Sequence, residues 1–344
     1  MRKLPVLMVT ASTVALGVAA IAFWAFSGPK PADMAQRADS ELTTGTIDAR
    51  WPKPGVERQA ALEAPAVQPP ATAPQAAEKR SVQASQVCRN PNALGVSRTV
   101  QIDTSGGPGF GMSQYRDYDF LEPGEVILTF DDGPWPVSTP AVLNALDAEC
   151  TKALFFPIGK HASWHPEVLK QVIAHGHTVG SHTWSHHNLA SKSPQEARDE
   201  IEKGMSAVAA MAGTQIAPFF RFPQLRQTAD LKTYLGERNV AAFSIDIDSE
   251  DFKIKKPDVL VTSVMTKLKK KGKGIILMHD LHRWTATALP EILGQLKAGG
   301  YKVVHVKAKE PLTTLPAYDT MMTSQLPAKS NNARAISAVV QNVD

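Results

Sequence analysis

The sequence predicts an α/β fold in which a parallel sheet of about seven strands is covered by helices and closed as a barrel. Short apolar runs alternate with helical patterns from about residue 126 to residue 306. These runs are apolar on both faces, as parallel strands buried between helices are. About seven strand–helix steps suit a barrel better than an open sheet, and no Gly-rich dinucleotide fingerprint follows the first strand.

The predicted strands and helices follow one another in a regular order. The predicted strands are the runs 126–130, 153–158, 177–180, 218–222, 240–246, 274–278 and 301–306. Helical patterns lie between them at 139–150, 165–176, 193–213 and 256–272. Each helical pattern has Pro at its second residue, and Pro is favoured at the first turn of a helix. Ser193 and Glu196 have the spacing of a capping box, which marks the start of the third pattern.

The N-terminal segment predicts export. Arg2 and Lys3 precede an uncharged apolar run over residues 4–26. A cationic start followed by an apolar run is typical of an export signal. The run also has the length of a membrane span, which favours an uncleaved anchor over a removed signal peptide for residues 1–26. In both cases the rest of the chain is expected in the periplasm or at the outer face of the inner membrane.

The predicted domain boundaries follow changes in composition. Residues 27–86 are rich in Ala, Pro and Gln and predict an extended linker without a core. A folded domain is expected over residues 87–308, and a loose C-terminal tail over 309–344. Cys88 and Cys150 predict one disulfide in an exported chain, with two buried free thiols as the alternative. A net charge of +4 without a basic stripe gives no indication of nucleic-acid binding.

Polar residues follow the predicted strands, at the C-terminal strand ends where such folds carry their active sites. Those residues are Asp131 and Asp132, His182 and His186, Arg221, Asp246, Asp248 and Asp251, and His279. A helix at 182–186 would place its two imidazoles on one face. Two imidazoles and one carboxylate make a metal site with open positions, as in hydrolases and non-haem iron oxygenases. A spare carboxylate and a spare imidazole favour hydrolysis, because it needs both a base and an acid.

Five short motifs then occur in a fixed order. They are TFDDGP (129–134), HTWSH (182–186) with Leu189, RFPQ (221–224), DSEDF (248–252) and ILMH (276–279). In these motifs the chain resembles the polysaccharide deacetylase family, carbohydrate esterase family four, over about residues 126–306. The resemblance implies an irregular (β/α) barrel.

The resemblance also implies a metal site and a pair of proton-transfer groups. Asp132, His182 and His186 would hold a divalent metal, usually zinc. Asp131 would be the base for the metal-bound water, and His279 would protonate the leaving amine.

Supporting residues are implied in the same way. Arg221 would orient Asp131, Asp251 would orient His279, and the backbone N–H of Gln224 would stabilise the oxyanion. The chain departs from the family pattern at Gln224, where Tyr is frequent, at Leu225, where Gly is usual, and at Phe252, where Trp is common. These departures bear on the shape of the groove and on substrate preference.

The implied reaction removes an N-acetyl group from a hexosamine unit of a poly- or oligosaccharide. Peptidoglycan, a chitin-like oligomer and an exopolysaccharide all remain open as substrates, and removal of O-acetyl groups also occurs in the family. The alternatives are an exported amidase for a small non-sugar amide, a non-catalytic glycan-binding module and an oxygenase. Trp135, Trp184 and Trp284 lie near the motifs and would either stack on sugar rings or pack within the fold.

Overall fold

The computed structural model describes residue 88 and residues 90–325. In this part of the chain, helices alternate with strands. The strands are β1 (Arg98–Ile102), β2 (Gly109–Phe110), β3 (Glu125–Asp131), β4 (Leu154–Phe156), β5 (Thr178–Val179), β6 (Phe219–Phe220), β7 (Ala241–Phe243), β8 (Ile247–Asp248), β9 (Gly274–His279) and β10 (Lys302–Ala308). The α-helices are α1 (Ser138–Ala148), α2 (Gly159–Trp164), α3 (Pro166–Ala174), α4 (Pro194–Ala212), α5 (Ala229–Glu237), α6 (Pro257–Lys271), α7 (Arg283–Ala298) and α8 (Pro316–Gln325).

The strand pairings are parallel and form two sheets, which an isolated bridge and a short chain connection join into a ring. β3 lies between β4 and β9, and β4 pairs with β5. A bridge between Ser181 and Phe220 connects the end of β5 to β6, which pairs with β7. The chain runs from β7 directly into β8, and β8 pairs with β9. The ring therefore returns to β3, with β10 and β1 added at the start of β3 and β2 added beside β7.

All seven predicted strand runs contain a strand, so the α/β alternation and the parallel sheet are confirmed. β1, β2 and β8 were not predicted, so the described residues contain more strands than the sequence indicates. β2 and β8 have two residues each, which is too short for a hydrophobic period. β1 is only partly buried, and its alternating polar side chains make its sequence resemble that of a loop.

The four predicted helical patterns form α1, α3, α4 and α6. The predicted capping box is present, because the Ser193 side chain accepts from the Glu196 backbone and the Glu196 side chain accepts from the Ser193 N–H. α2 was not predicted, since a helix of six residues has no periodic signal.

The predicted disulfide between Cys88 and Cys150 is present. It joins the beginning of the described residues to the turn after α1. The Glu149 carboxylate accepts from the N–H of Leu94 at 2.7 Å and strengthens this connection. The predicted anchor over residues 1–26 and the linker over 27–86 lie outside the described residues. Among the described helices, none has the length and apolar character needed to cross a membrane.

The prediction of a loose tail from residue 309 is wrong as far as residue 325. This segment contains α8, and the side chains of Leu312 and Met322 are buried. The Tyr318 hydroxyl donates to Asp199 of α4 at 2.7 Å, and Arg238 donates to the Thr313 carbonyl at 2.8 Å. A few widely spaced apolar residues anchor the segment, so its composition resembles that of a linker. Residues 326–344 lie outside the described residues.

Candidate active site

The two adjacent acids at the end of β3 both approach the His182 ring. Asp131 is the last residue of β3, and Asp132 adopts a left-handed backbone conformation with φ 73°. Neighbouring side chains of a strand normally point to opposite faces, and the left-handed residue breaks this alternation. His182 Nε2 therefore lies 3.8 Å from an Asp131 oxygen and 3.6 Å from Asp132 Oδ1.

Asp132, His182 and His186 form a cluster that we call the metal triad. Each offers one ligand atom, and these atoms all lie within 4.8 Å of one another. His186 Nε2 is 3.5 Å from Asp132 Oδ1. The predicted helix at 182–186 is wrong, because this stretch is a loop in which Thr183 and His186 have φ values of 68° and 58°. The two left-handed residues bring the imidazoles together instead of a helical turn.

The chemistry of the metal triad fits a divalent metal. Asp132 Oδ1 is buried and has no hydrogen-bond partner, although a buried carboxylate oxygen normally has one. His182 Nδ1 lies 2.7 Å from the Arg221 carbonyl, which can only accept, so Nδ1 carries the proton and Nε2 keeps a free lone pair. Burial lowers the pKa of His182 to about 3, which keeps this imidazole neutral. Two imidazoles and one carboxylate are a donor set typical of zinc and similar divalent ions.

Arg221 holds Asp131 in place from inside the barrel. Its guanidinium is fully buried and donates to Asp131 Oδ1 at 2.7 Å and to the Thr129 hydroxyl at 2.8 Å. Two further bonds go to the carbonyls of Phe243 and Ser244. Burial raises the pKa of Asp131, and the positive charge of Arg221 opposes this rise. The predicted partnership of Arg221 and Asp131 is therefore present as a contact.

His279 occupies the end of β9 directly beside Asp131, its register partner across the sheet. Its Nδ1 lies 2.6 Å from Asp251 Oδ1, and its Nε2 lies 4.0 Å from Asp132 Oδ2. Burial by itself would lower the pKa of His279, but the hydrogen bond and charge of Asp251 outweigh it and raise that pKa to about 10. The imidazole is therefore held as a cation beside the metal triad.

Asp251 is itself held firmly. It is buried, and its Oδ2 accepts from the His279 N–H and from the Thr285 hydroxyl, both at 2.7 Å. Burial acts to raise the pKa of Asp251, but the bonds from His279 and Thr285 leave it lowered. Asp246 and Asp248, the other acids of this region, have structural contacts. Asp246 accepts from the N–H of Met112 and of Ile275, and Asp248 accepts from the N–H of Glu250.

Gln224 lies in a short turn after Phe222, next to the segment that bears Arg221. Its backbone is left-handed, with φ 57° and ψ 17°, and Leu225 follows with φ 55°. The Gln224 side chain is exposed, and the turn defines the backbone conformation of this residue. Phe252 is 47% exposed, and its ring meets His279 edge-on at 6.2 Å between centroids.

Asp280 has a role that the sequence reasoning missed. It is buried and accepts from the Gly133 N–H at 3.0 Å and from the Thr139 hydroxyl at 2.5 Å. A Cβ at residue 133 would lie 2.1 Å from an Asp280 oxygen, so only Gly fits there. Asp280 thus fixes the loop that carries Asp132. Its position directly after His279 at a strand end was the available signal.

His161 was also missed. Its Nδ1 lies 2.5 Å from the Asp132 carbonyl, to which it donates. It belongs to α2 and lies outside the five motifs, so no sequence signal indicated it.

The three tryptophans singled out in the sequence have different environments. Trp284 donates to the Asp251 carbonyl at 2.6 Å and stacks on His282, which makes it a support for the site. Trp184 is half-buried beside Gly159. Trp135 is 38% exposed at the rim of the site.

The parallel strand order, the adjacent acids at the end of β3 and the histidine cluster together fit a carbohydrate-esterase type of barrel, and comparisons with known proteins agree. The family described as polysaccharide deacetylase matches residues 121–242. A chitooligosaccharide deacetylase of Bradyrhizobium sp. (strain ANU 289) is 32% identical over 155 residues, which cover 45% of this chain and 70% of that protein. The chain belongs to the polysaccharide deacetylase family.

Other relatives extend this comparison. A peptidoglycan-N-acetylglucosamine deacetylase of Listeria monocytogenes serotype 1/2a (strain 10403S) is 33% identical over 184 residues, which cover 53% of this chain. The matched region spans 38% of the length of that relative. The solved structure of a peptidoglycan deacetylase of Bdellovibrio bacteriovorus has a TM-score of 0.58 and 34% identity, covering 65% of this chain and 62% of that one.

Proposed function

We propose that this protein is a metal-dependent hydrolase that removes N-acetyl groups from hexosamine units of a glycan and releases acetate and a free amine. The observation that carries the proposal is the position of two buried pairs against the metal triad. Asp131 is paired with Arg221 through Oδ1, and its Oδ2 lies 3.8 Å from His182 Nε2. His279 is paired with Asp251, and its Nε2 lies 4.0 Å from Asp132 Oδ2. A base and an acid beside a metal site are the groups that amide hydrolysis needs.

Asp132, His182 and His186 are the residues that would hold the metal, which we expect to be zinc. When bound there, a divalent ion would polarise the acetyl carbonyl and acidify a water molecule. The donation from His182 Nδ1 to the Arg221 carbonyl fixes the ring so that Nε2 faces Asp132.

Asp131 is proposed as the general base that takes a proton from the attacking water. Its carboxylate is fixed by the bond from Arg221, so one oxygen remains directed towards the metal triad. Burial raises the pKa of Asp131, and a base with a raised pKa accepts a proton more readily at neutral pH. Because Arg221 makes four bonds to fixed groups, Asp131 keeps its position during the reaction.

His279 is proposed as the general acid. An amine leaves readily only when its nitrogen is protonated, and the cationic ring of His279 can supply that proton from Nε2. Asp251 binds Nδ1 and thereby directs Nε2 towards the metal triad. The backbone N–H of Gln224 is proposed to donate to the oxyanion, since its turn has a fixed left-handed conformation.

The substrate is proposed to be an N-acetylated polysaccharide or oligosaccharide outside the cytoplasm. The names of the relatives from Listeria and Bradyrhizobium support peptidoglycan and chitooligosaccharides as the first glycans to test. The cationic and apolar segment at residues 1–26 supports export with a membrane anchor or a cleaved signal. The Cys88–Cys150 disulfide supports an oxidising compartment.

The test is acetate release from chitooligosaccharides and from peptidoglycan, measured side by side with a small N-acetyl amide. The protein is first treated with a chelator and then supplied with zinc. We expect no release after chelation and recovery with zinc on at least one glycan. Faster release from the small amide would favour the amidase alternative. Glycan binding without any acetate release would contradict the proposal and favour a binding module.

A further inference from the structure

An exposed aromatic surface lies beside the candidate active site. It consists of Trp135, His161, Trp164 and His165, and we call it the aromatic platform. Trp135 is 38% exposed and Trp164 is 58% exposed. The Trp135 ring lies 5.2 Å from the His161 ring and 5.3 Å from the His165 ring, and the His161 ring lies 5.2 Å from that of Trp164. The four rings thus form a connected row in the order His165, Trp135, His161 and Trp164, and both indoles are open to solvent.

The aromatic platform is attached to the same rim as the metal triad. Trp135 follows Asp132 by three residues, and His161 donates to the Asp132 carbonyl at 2.5 Å. The start of α2, which carries His161 and Trp164, is tied to the loop of His182 and His186. The N–H of Gly159 donates to the Thr183 carbonyl at 2.9 Å, and the N–H of Lys160 donates to the Trp184 carbonyl at 3.0 Å. A ligand at the metal triad and a ligand on the platform would therefore be neighbours.

The chemistry of the platform suits an uncharged sugar ring. Indole faces are flat and apolar, and the C–H face of a pyranose can stack on them while its hydroxyl groups remain at the edge. The imidazole and indole nitrogens at the rim can exchange hydrogen bonds with such hydroxyls. Exposed clusters of large aromatic side chains on a protein surface frequently mark binding sites. The four side chains include no acid, so the platform presents no negative charge.

We propose that Trp135 and Trp164 bind a sugar unit of the substrate glycan next to the unit whose N-acetyl group reaches the metal triad. This inference rests on the proposed function and deepens it, because it makes the substrate an oligomer or polymer rather than a single hexosamine. The platform adjoins the metal triad through the bond from His161 to the Asp132 carbonyl, which favours a sugar unit of the substrate as its occupant. A second copy of the chain is the competing occupant, and the test below separates the two.

The test measures acetate release by the full chain from N-acetylglucosamine and its oligomers, from the monomer to the hexamer. Trp164→Ala is the main variant, because Trp164 is the more exposed indole. Trp164→Phe is the conservative variant. Tyr118→Ala is the matched control, since Tyr118 is 56% exposed and packs against Phe110.

We expect kcat/KM of the wild type to rise with oligomer length. Trp164→Ala should lose about fivefold of kcat/KM on the dimer and longer oligomers, chiefly through KM, and nothing on the monomer. Trp164→Phe should keep most of the gain, and Tyr118→Ala should match the wild type. The proposal is overturned if Trp164→Ala and Tyr118→Ala have the same length profile. It is also overturned if Trp164→Ala changes only the oligomeric mass in light scattering.

A second measurement separates this inference from the proposed function. Co-sedimentation of the full chain with insoluble chitin and with peptidoglycan reports binding without chemistry. If the wild type releases no acetate but Trp164→Ala weakens sedimentation, the proposed function fails and the platform remains a sugar site. If Trp164→Ala sediments as the wild type does, the platform is not a sugar site, whatever the activity.

Discussion

His279 and Asp251 are joined by two hydrogen bonds, one from the ring and one from the main chain. His279 Nδ1 lies 2.6 Å from Asp251 Oδ1, and the His279 N–H donates to Asp251 Oδ2 at 2.7 Å. One carboxylate therefore fixes both the position of the backbone and the orientation of the ring. The same contact raises the pKa of His279 against the effect of burial.

Asp251→Asn is expected to move the alkaline limit of activity to lower pH. A general acid must be protonated, so activity is present below the pKa of His279 and is lost as the pH rises through it. Removing the negative charge of Asp251 lowers that pKa, by about one to three units. The pH profile of kcat measures the shift. Asp248→Asn is the matched control, because Asp248 bonds to the Glu250 N–H instead of to His279. An unchanged profile in Asp251→Asn would contradict the assignment of His279.

His279→Ala is expected to keep its metal and to lose turnover. His279 contributes no ligand atom to the metal triad, so metal content should equal that of the wild type. Loss of a general acid should lower kcat by about 100- to 10,000-fold, and the alkaline limb of the pH profile should disappear. His187→Ala, at an exposed imidazole nearby, is the control and should remain active. A fall in metal content with His279→Ala would identify His279 as a ligand.

Substitutions of the two adjacent acids are expected to impair different properties, metal affinity at Asp132 and turnover at Asp131. Asp132→Asn should lower metal affinity sharply, with activity partly recovered in excess zinc, because Asp132 supplies a ligand atom. Asp131→Asn should keep its metal and remain slow at every zinc concentration, because it loses the base. Metal analysis together with a zinc titration of acetate release measures both effects. Equal loss of metal in the two variants would make the acids joint ligands.

Asp280→Ala is expected to loosen the loop that carries Asp132. It leaves the buried Gly133 N–H without an acceptor, which should cost about 1–3 kcal/mol of stability. Metal affinity should fall with it, because Gly133 follows Asp132 directly. Asp280→Asn keeps an oxygen for the Gly133 N–H and should therefore lose less stability and less metal affinity. Thermal unfolding and zinc titration measure the two effects, and equal values for Asn and Ala would show that this bond is unimportant.

Removal of the Cys88–Cys150 disulfide is expected to destabilise the domain. The bridge closes a loop with a sequence separation of 62, for which chain entropy predicts about 4 kcal/mol. The double variant Cys88→Ser/Cys150→Ser should unfold at lower denaturant, and the reduced wild type should match it. Thiol titration of the denatured, unreduced wild type should find no free thiol. Two free thiols would show that the bridge does not form in solution.

The fold was predictable where the sequence carries a repeated local signal. Buried strands such as 126–130 and Pro-led helices such as 193–213 are specified by hydrophobic runs and capping residues, and both appear as expected. The three residues of the metal triad were also predicted, because Asp132, His182 and His186 follow strand ends in family motifs. β2 and β8 were not predictable, since two residues carry no period.

The tertiary structure decided how these residues meet. The sequence by itself indicated seven of the strands, four of the helices, the residue types at the strand ends and a disulfide between Cys88 and Cys150. Only the three-dimensional structure showed that His182 and His186 converge through left-handed loop residues instead of a helix, and that Asp280 holds Gly133. Likewise, Trp135 and Trp164 belong to one surface, connected through the His161 ring, although they lie far apart in the chain. The reason is physical: hydrophobic period and capping act between near neighbours in regular elements. A left-handed loop such as 182–186 has no such period, and the contact of Gly133 with Asp280 joins segments distant in sequence that only the folded sheet brings together.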